Sequence, residues 1–188
     1  TKIYLVKGDL GKEKDIIKIV KFSKSKMKFF DCLINNASLF ENDNWQNFTD
    51  KSFLKHLNVN LKAPAILIQS FKKLLKNSDG NIINIIDQRV EKLTPFFFSY
   101  TLSKSSLATI TKIAAMKLAP NIRVNSINPG GIFRNQPEQF VEKYIDKTPL
   151  KRMAKESDLI GMVAYLSSDM SAYVTGQIFE VDGGWGVW

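Results

Sequence analysis

Asn81-Ile82-Ile83-Asn84-Ile85-Ile86-Asp87 is the stretch that decides the fold. Its isoleucines are stiff at χ1 and favour extended backbone. They fall on both sides of the pleat, so this strand needs cover on both faces, as strands of parallel sheets do. Asp79-Gly80 before it is a turn, and Asp87 closes it with a polar side chain. Downstream, 97–118 carries a helical pattern. A second strand at 121–127 is closed by Asn128-Pro129-Gly130-Gly131.

The same alternation runs through the rest of the chain. Ile3–Val6 is a short strand-like run leading to Gly8-Asp9-Leu10. In 12–26, Ile16, Ile17, Ile19, Val20 and Phe22 recur at helical period. A buried strand is predicted at 31–37, stopped by Asn35-Asn36. A long helix is predicted over 50–76, with Pro64 marking a bend or a second start. Helical turns are expected around 137–146 and 156–168, and a last strand at 177–181 ends in Asp182-Gly183-Gly184. Apolar strands separated by helices predict an α/β fold, a doubly wound parallel sheet of the Rossmann-like kind. Ligands bind such sheets at the carboxyl ends of the strands. That singles out Asp9, Asn35-Asn36-Ala37, Asp87 and Asn128-Pro129-Gly130.

Composition excludes several function classes. The 188 residues are 44% hydrophobic and 24% charged, ordinary for a globular domain. No apolar run approaches the roughly 20 residues of a membrane helix, so no membrane partner is expected. The opening residues lack the apolar core and small-residue cleavage site of a signal peptide. They also lack a starting Met and begin on a strand-like run, so the chain is expected to be a piece of a longer one. The single cysteine, Cys32, allows no internal disulfide and fits a cytoplasmic location; within its apolar run it reads as a structural thiol. One histidine, His56, and no Cys/His cluster argue against a metal site. The net charge of +9 is spread as lysines over helix surfaces without interleaved aromatics, so nucleic acid is not an expected partner.

Tyr100 and Lys104 stand four apart on one helix face. An ammonium beside a phenol stabilises the phenolate and lowers the phenol's pKa from about 10. The pair would then be a proton donor for reducing a C=O or C=N bond. Tyr and Lys at this spacing also occur on ordinary surface helices.

Context separates the two readings. Tyr100-Thr101-Leu102-Ser103-Lys104 follows the strand ending at Asp87. Asn35-Asn36-Ala37 lies before it, and Asn128-Pro129-Gly130, Thr175-Gly176-Gln177 and Asp182-Gly183-Gly184 after it. In order and spacing these segments, from Asp9 to the C-terminus, resemble the short-chain dehydrogenase/reductase family. The resemblance implies a nicotinamide-dependent oxidoreductase. Asp9 and Leu10 would meet the adenine. Asn35, Asn36 and Ala37, with Ser38 after them, would pass the adenosine side and steady the central sheet. Asn60 would hold a water linked to Lys104. Tyr100 would be the acid, and Lys104 would also bind the nicotinamide ribose. Pro129, Gly130 and Ile132 would line the nicotinamide. Asn35-Asn36 as a plain turn and Pro129-Gly130 as a plain strand terminator stay open.

Two departures refine this. The family usually has serine thirteen residues before the tyrosine, and here that residue is Asp87. Aspartate there, with Ser38 in place of the usual Gly and the stretch Lys117-Leu118-Ala119-Pro120-Asn121-Ile122-Arg123-Val124-Asn125, resembles pteridine and dihydromonapterin reductases. A carboxyl group can accept from a nitrogen-rich ring, or donate if burial raises its pKa. Secondly, no Gly-x-x-x-Gly-x-Gly loop precedes Asp9, although that loop normally receives the cofactor pyrophosphate. Residues 1–188 are therefore expected to be one domain lacking its first β-α-β portion, with a central gap in the sheet or direct pairing of 3–6 with 33–37. Cofactor binding by such a piece would be weak.

The resemblance implies NADPH, although the residues that choose NADP over NAD are not in view. It also implies a small pterin-like substrate and a homo-tetramer or dimer at full length. A 3-ketoacyl or sugar-alcohol reductase, and a non-catalytic truncated scaffold, are the alternatives. Phe133, Arg134, Phe140 and Tyr144 could stack on a flat substrate, or Phe140 and Tyr144 could pack a helix. Phe96-Phe97-Phe98 could line the site or a subunit contact.

Overall fold

The isoleucine-rich strand lies inside one parallel sheet. In the computed structural model, which describes residues 2–76, 78–132 and 138–187, the strands are β1 (Cys32–Asn35), β2 (Gly80–Ile85), β3 (Ile122–Pro129) and β4 (Ile178–Val181). They pair in the order β1-β2-β3-β4, with Leu33 opposite Ile82, Ile82 opposite Val124, and Ile127 opposite Phe179. The helices are α1 (Glu13–Lys26), α2 (Asp50–Leu57), α3 (Ala63–Leu75), α4 (Phe98–Leu118), α5 (Glu138–Lys147) and α6 (Glu156–Ser167).

Successive side chains of a strand face opposite ways, and β2 uses this to build two cores. Ile82 joins Val124, Ile122, Ile68, Phe71, Leu75, Ala114 and Ala115 under α3 and α4. Ile83 and Ile85 join Ile127 and Leu166 under α6. Helices thus cover both faces, which is the doubly wound arrangement the apolar strands predict.

One expectation needs correction. The run Ile3–Val6 is in no sheet, and Ile3 and Leu5 are 82% and 87% exposed. A strand acquires its ladder only from a neighbour, and among the described residues the outer edge of β1 has none. The alternative of direct pairing with 33–37 is not realised. The segment is held by α1 instead: Lys18 Nζ donates to the Lys7 carbonyl at 3.0 Å and Asp9 N–H to Asp15 Oδ2 at 2.9 Å. The helical stretch expected over 50–76 does restart at Pro64: it is two helices joined by a π turn, Asn58–Lys62. Pro64 sits in the first turn of α3, where its missing N–H costs nothing. Thr49 and Ser52 form a reciprocal capping box that starts α2.

A polar line crosses the core. Asn35 Nδ2 donates to Asn84 Oδ1 at 2.8 Å, and Asn84 Nδ2 donates to Thr111 Oγ1 at 2.9 Å. Asn84 and Thr111 are fully buried. The line fixes β1, β2 and α4 in one register, because a one-residue slip would strand these groups in an apolar interior. Asn84→Ala removes both bonds and leaves Asn35 Nδ2 without its acceptor. Unsatisfied buried groups cost roughly 1–3 kcal/mol each, so we expect the urea midpoint of this variant to fall by the equivalent of about 2–4 kcal/mol, with the denaturation slope unchanged.

Candidate active site

All four strands point their carboxyl ends the same way, so their terminal loops converge on one rim. Asp87 follows β2. Its carboxylate caps the 3₁₀ turn Gln88–Val90: Oδ1 accepts from the Arg89 backbone N–H at 2.8 Å and from Arg89 Nη1 at 3.3 Å. Oδ2 accepts from the Tyr100 hydroxyl at 2.7 Å.

Tyr100 owes its place to the start of α4. Asp43 accepts there from the Phe98 N–H through its carbonyl (3.2 Å) and from the Ser99 N–H through its buried carboxylate (3.0 Å). This satisfies orphan donors and sets a negative charge against the helix N-terminus. Phe97, just before the helix, is left-handed at φ 60°, a strained conformation for a bulky residue. It is held by stacking on Phe40 at 4.5 Å between ring centroids, and Phe40 meets Tyr100 edge-on at 4.7 Å.

One turn further, Lys104 is 2% exposed and donates from Nζ to the Ile85 carbonyl at 2.9 Å. Nζ lies 5.8 Å from the Tyr100 ring centre. Burial lowers its pKa from 10.5 to about 8, while the Asp87 charge pushes it upward. The Tyr100 phenol is raised well above 10, first by burial, then by the charge and hydrogen bond of Asp87; Arg89 and Ser38 pull it the other way. A phenol lowered by Lys104 is therefore not what this structure holds. The ammonium donates to the Ile85 carbonyl, and the phenol proton is held by a carboxylate that favours the neutral form.

Asn60 is buried in the π turn. Its Oδ1 accepts from the Leu39 N–H at 2.7 Å, and its Nδ2 donates to the Leu39 carbonyl (2.9 Å) and Ser103 Oγ (3.0 Å). The carboxamide thus ties the loop after β1 to α4, and Lys104 is not among its partners. Ser38 Oγ donates to Asn60 Oδ1 at 3.3 Å. Asn36, Ala37 and Ser38 are exposed at the end of β1. Asp9 is exposed, accepts from the Gly11 N–H at 2.9 Å and pairs with Lys12; Leu10 is half-buried. A Cβ on Gly11 would lie 3.7 Å from Val59, so this turn borders the π turn that carries Asn60. Pro129 and Gly130 are buried and Ile132 half-buried at the end of β3. A side chain at Gly130 would come within 2.8 Å of the Asp182 backbone, so only glycine fits between these strand ends.

Several neighbours went unread in the sequence. Arg89 and Gln88 follow Asp87 directly, and that adjacency to a strand end was the available signal. Tyr144 is buried; its hydroxyl donates to Gln88 Oε1 and accepts from the Gly131 N–H, both at 2.7 Å, and its ring stacks on Trp185. It is a strut between α5 and the strand ends. Phe140 points outward, Phe97 belongs to the site, and Phe98 packs with Trp45, Phe48 and Phe53. Phe133 and Arg134 lie outside the described residues.

A family model described as enoyl-(acyl carrier protein) reductase matches residues 1–186. The chain belongs to the short-chain dehydrogenase/reductase family. The family's members are NAD(P)-dependent oxidoreductases. Among solved structures, FolM alternative dihydrofolate reductase 1 from Brucella canis, complexed with NADP, is 39% identical with a TM-score of 0.87, over 97% of this chain and 72% of that one. Among curated relatives, the dihydromonapterin reductase of Enterobacter sp. (strain 638) is 28% identical over 95% of this chain and 76% of its own length. The 2-dehydro-3-deoxy-D-gluconate 5-dehydrogenase of Escherichia coli (strain K12) is 31% identical over 95% of this chain and 74% of its own length. Pterin and sugar-acid enzymes thus stand at similar distance.

The buried lysine makes stability depend on pH. Its folded pKa, about 8, lies below the unfolded value near 10.5, so the unfolded chain binds the extra proton between these limits. The burial cost is fully present below pH 8 and is relieved as pH rises towards 10.5. Urea titrations of wild type and Lys104→Met should therefore show wild type gaining stability relative to the variant between pH 7.5 and 10, and a constant difference would contradict the burial of a charge at this position.

Proposed function

We propose that this protein is an NADPH-dependent reductase of a pterin or dihydropterin C=N bond. The observation that carries the reading is the Asp87–Tyr100 hydrogen bond of 2.7 Å. A carboxylate that already accepts from a phenol and a guanidinium suits a ring rich in N–H donors better than a bare carbonyl. The pterin-named relatives support the same choice.

Residues 1–188 act as one domain in this reading. The Lys104 ammonium has three protons and gives one to Ile85, so two remain for ribose hydroxyls. With the exposed Asn36-Ala37-Ser38 turn and the Pro129-Gly130 strand end, this donor set fits a nicotinamide nucleotide laid across the carboxyl ends of the strands, bordered by Asp9, Leu10 and Ile132. NADPH, when bound, supplies the hydride. Tyr100 delivers the proton to the substrate nitrogen, Asp87 orients that proton beforehand, and Lys104 steadies the phenolate left behind. Asn60 acts as a positioning residue, holding the loop after β1 against α4. Exposed Leu102, Ile113 and Met116 on α4 support a dimer or tetramer contact along that helix.

Tyr100→Phe in the full-length chain should lose roughly two to four orders of magnitude in turnover, in line with removal of a general acid, while fluorescence titration shows NADPH affinity largely kept. Near-normal turnover would refute the acid role. Assays with dihydrobiopterin and dihydrofolate against acetoacetyl thioesters and keto-sugar acids decide the substrate: preference for a thioester or sugar acid would replace the pterin reading with the corresponding carbonyl reductase.

A further inference from the structure

Arg89 has no role in the family resemblance, yet like Lys104 it is a cation held tightly at the site. Its side chain is only 16% exposed. Its guanidinium carbon lies 5.1 Å from the Phe40 ring centre and 4.8 Å from that of Phe97, and those rings are stacked on each other. Its Nη1 and its backbone N–H both reach Asp87 Oδ1. A planar guanidinium suits this niche, since it stacks on aromatic faces and donates in its own plane; a lysine ammonium has neither property.

We propose that Arg89 is a positioning residue for proton delivery, fixing Asp87 through Oδ1 so that Oδ2 alone faces the Tyr100 hydroxyl. The Phe40–Phe97 pair flanks the guanidinium and holds it in place. There is a second consequence. When Tyr100 gives up its proton, the O–H bond breaks and its electron pair stays on the phenolate oxygen, 2.7 Å from a carboxylate oxygen. Like charges that close oppose the step. The Arg89 cation offsets the carboxylate, so the phenolate forms against a nearly neutral pair with Lys104 beneath it. Arg89 therefore acts on the reaction through Asp87 without touching substrate.

The inference rests on the reading that Tyr100 is the acid. Its test uses Arg89→Ala, Arg89→Lys and Tyr100→Phe in the full-length chain with NADPH and dihydrobiopterin. Single-turnover reduction should fall roughly ten- to a hundred-fold in Arg89→Ala, with an increased solvent isotope effect and unchanged NADPH affinity. Guanidinium chloride at sub-denaturing concentration should restore much of that rate in Arg89→Ala, and none in Tyr100→Phe. Arg89→Lys should recover part of the rate, because it returns charge without the stack. An undiminished rate in Arg89→Ala, or a loss that guanidinium fails to restore in a variant of normal thermal stability, would overturn the proposal. A second readout is independent of substrate. With carbon-13 at tyrosine Cζ, the Tyr100 resonance should shift in Arg89→Ala and return on adding guanidinium, and an unmoved resonance would equally overturn it. Wild type that reduces no dihydropterin but shows this shift would remove the pterin reading and leave the Arg89 role intact.

Discussion

The seating of α4 on the centre of the sheet is the constraint on which the rest depends. Two polar bonds pin it: Lys104 to the carbonyl of Ile85, and Thr111 to Asn84. They lie seven residues, about two turns, apart on the helix and both end on β2, so α4 can neither slide nor roll without breaking one. Asp87 is two residues beyond Ile85, in the loop that leaves the strand. Once the lysine is tied to β2, the distance between the Tyr100 hydroxyl and Asp87 is set by covalent geometry and by one helical turn. The apolar packing of Ala114 and Ala115 on Ile82 and Val124 supplies the attraction, and the buried polar bonds supply the register.

Charge at the site is arranged in a row. A carboxylate sits between a phenol on one oxygen and a guanidinium on the other, with an ammonium beneath the phenol ring. Burial presses the lysine towards neutrality and the tyrosine towards retention of its proton. The Asp87 charge pushes the pKa of both of these groups upward, so its removal would relieve part of that push on each of them.

Much of the fold was legible from residues 81–87, because a strand apolar on both faces admits few environments. The positions of Asp87, Tyr100 and Lys104 were legible because strand end and helical spacing together place them. Ile3–Val6 misled, since β-branched composition states a preference for extension and says nothing of a partner. The acidity of Tyr100 misled for a different reason. Spacing brought Lys104 near, but only the three-dimensional path of its Nζ shows that its hydrogen bond goes to Ile85. Arg89 stood in view beside Asp87, but its ring partners Phe40 and Phe97 come from two distant segments, and no local pattern joins them to it.

The free outer edge of β1 bears on how the molecule behaves in company. Among the described residues no strand pairs with that edge, which runs beside Ile34, 44% exposed. Such an edge is a template for a further strand, whether of this protein or of another copy. Against this stands the charge of +9, which keeps copies apart by mutual repulsion. Salt shortens the reach of that repulsion, to roughly 10 Å at 0.1 M and 3 Å at 1 M, and leaves the edge untouched. Where that edge is uncovered, colloidal stability is a contest between one strand and a diffuse cationic surface, and ionic strength sets the balance.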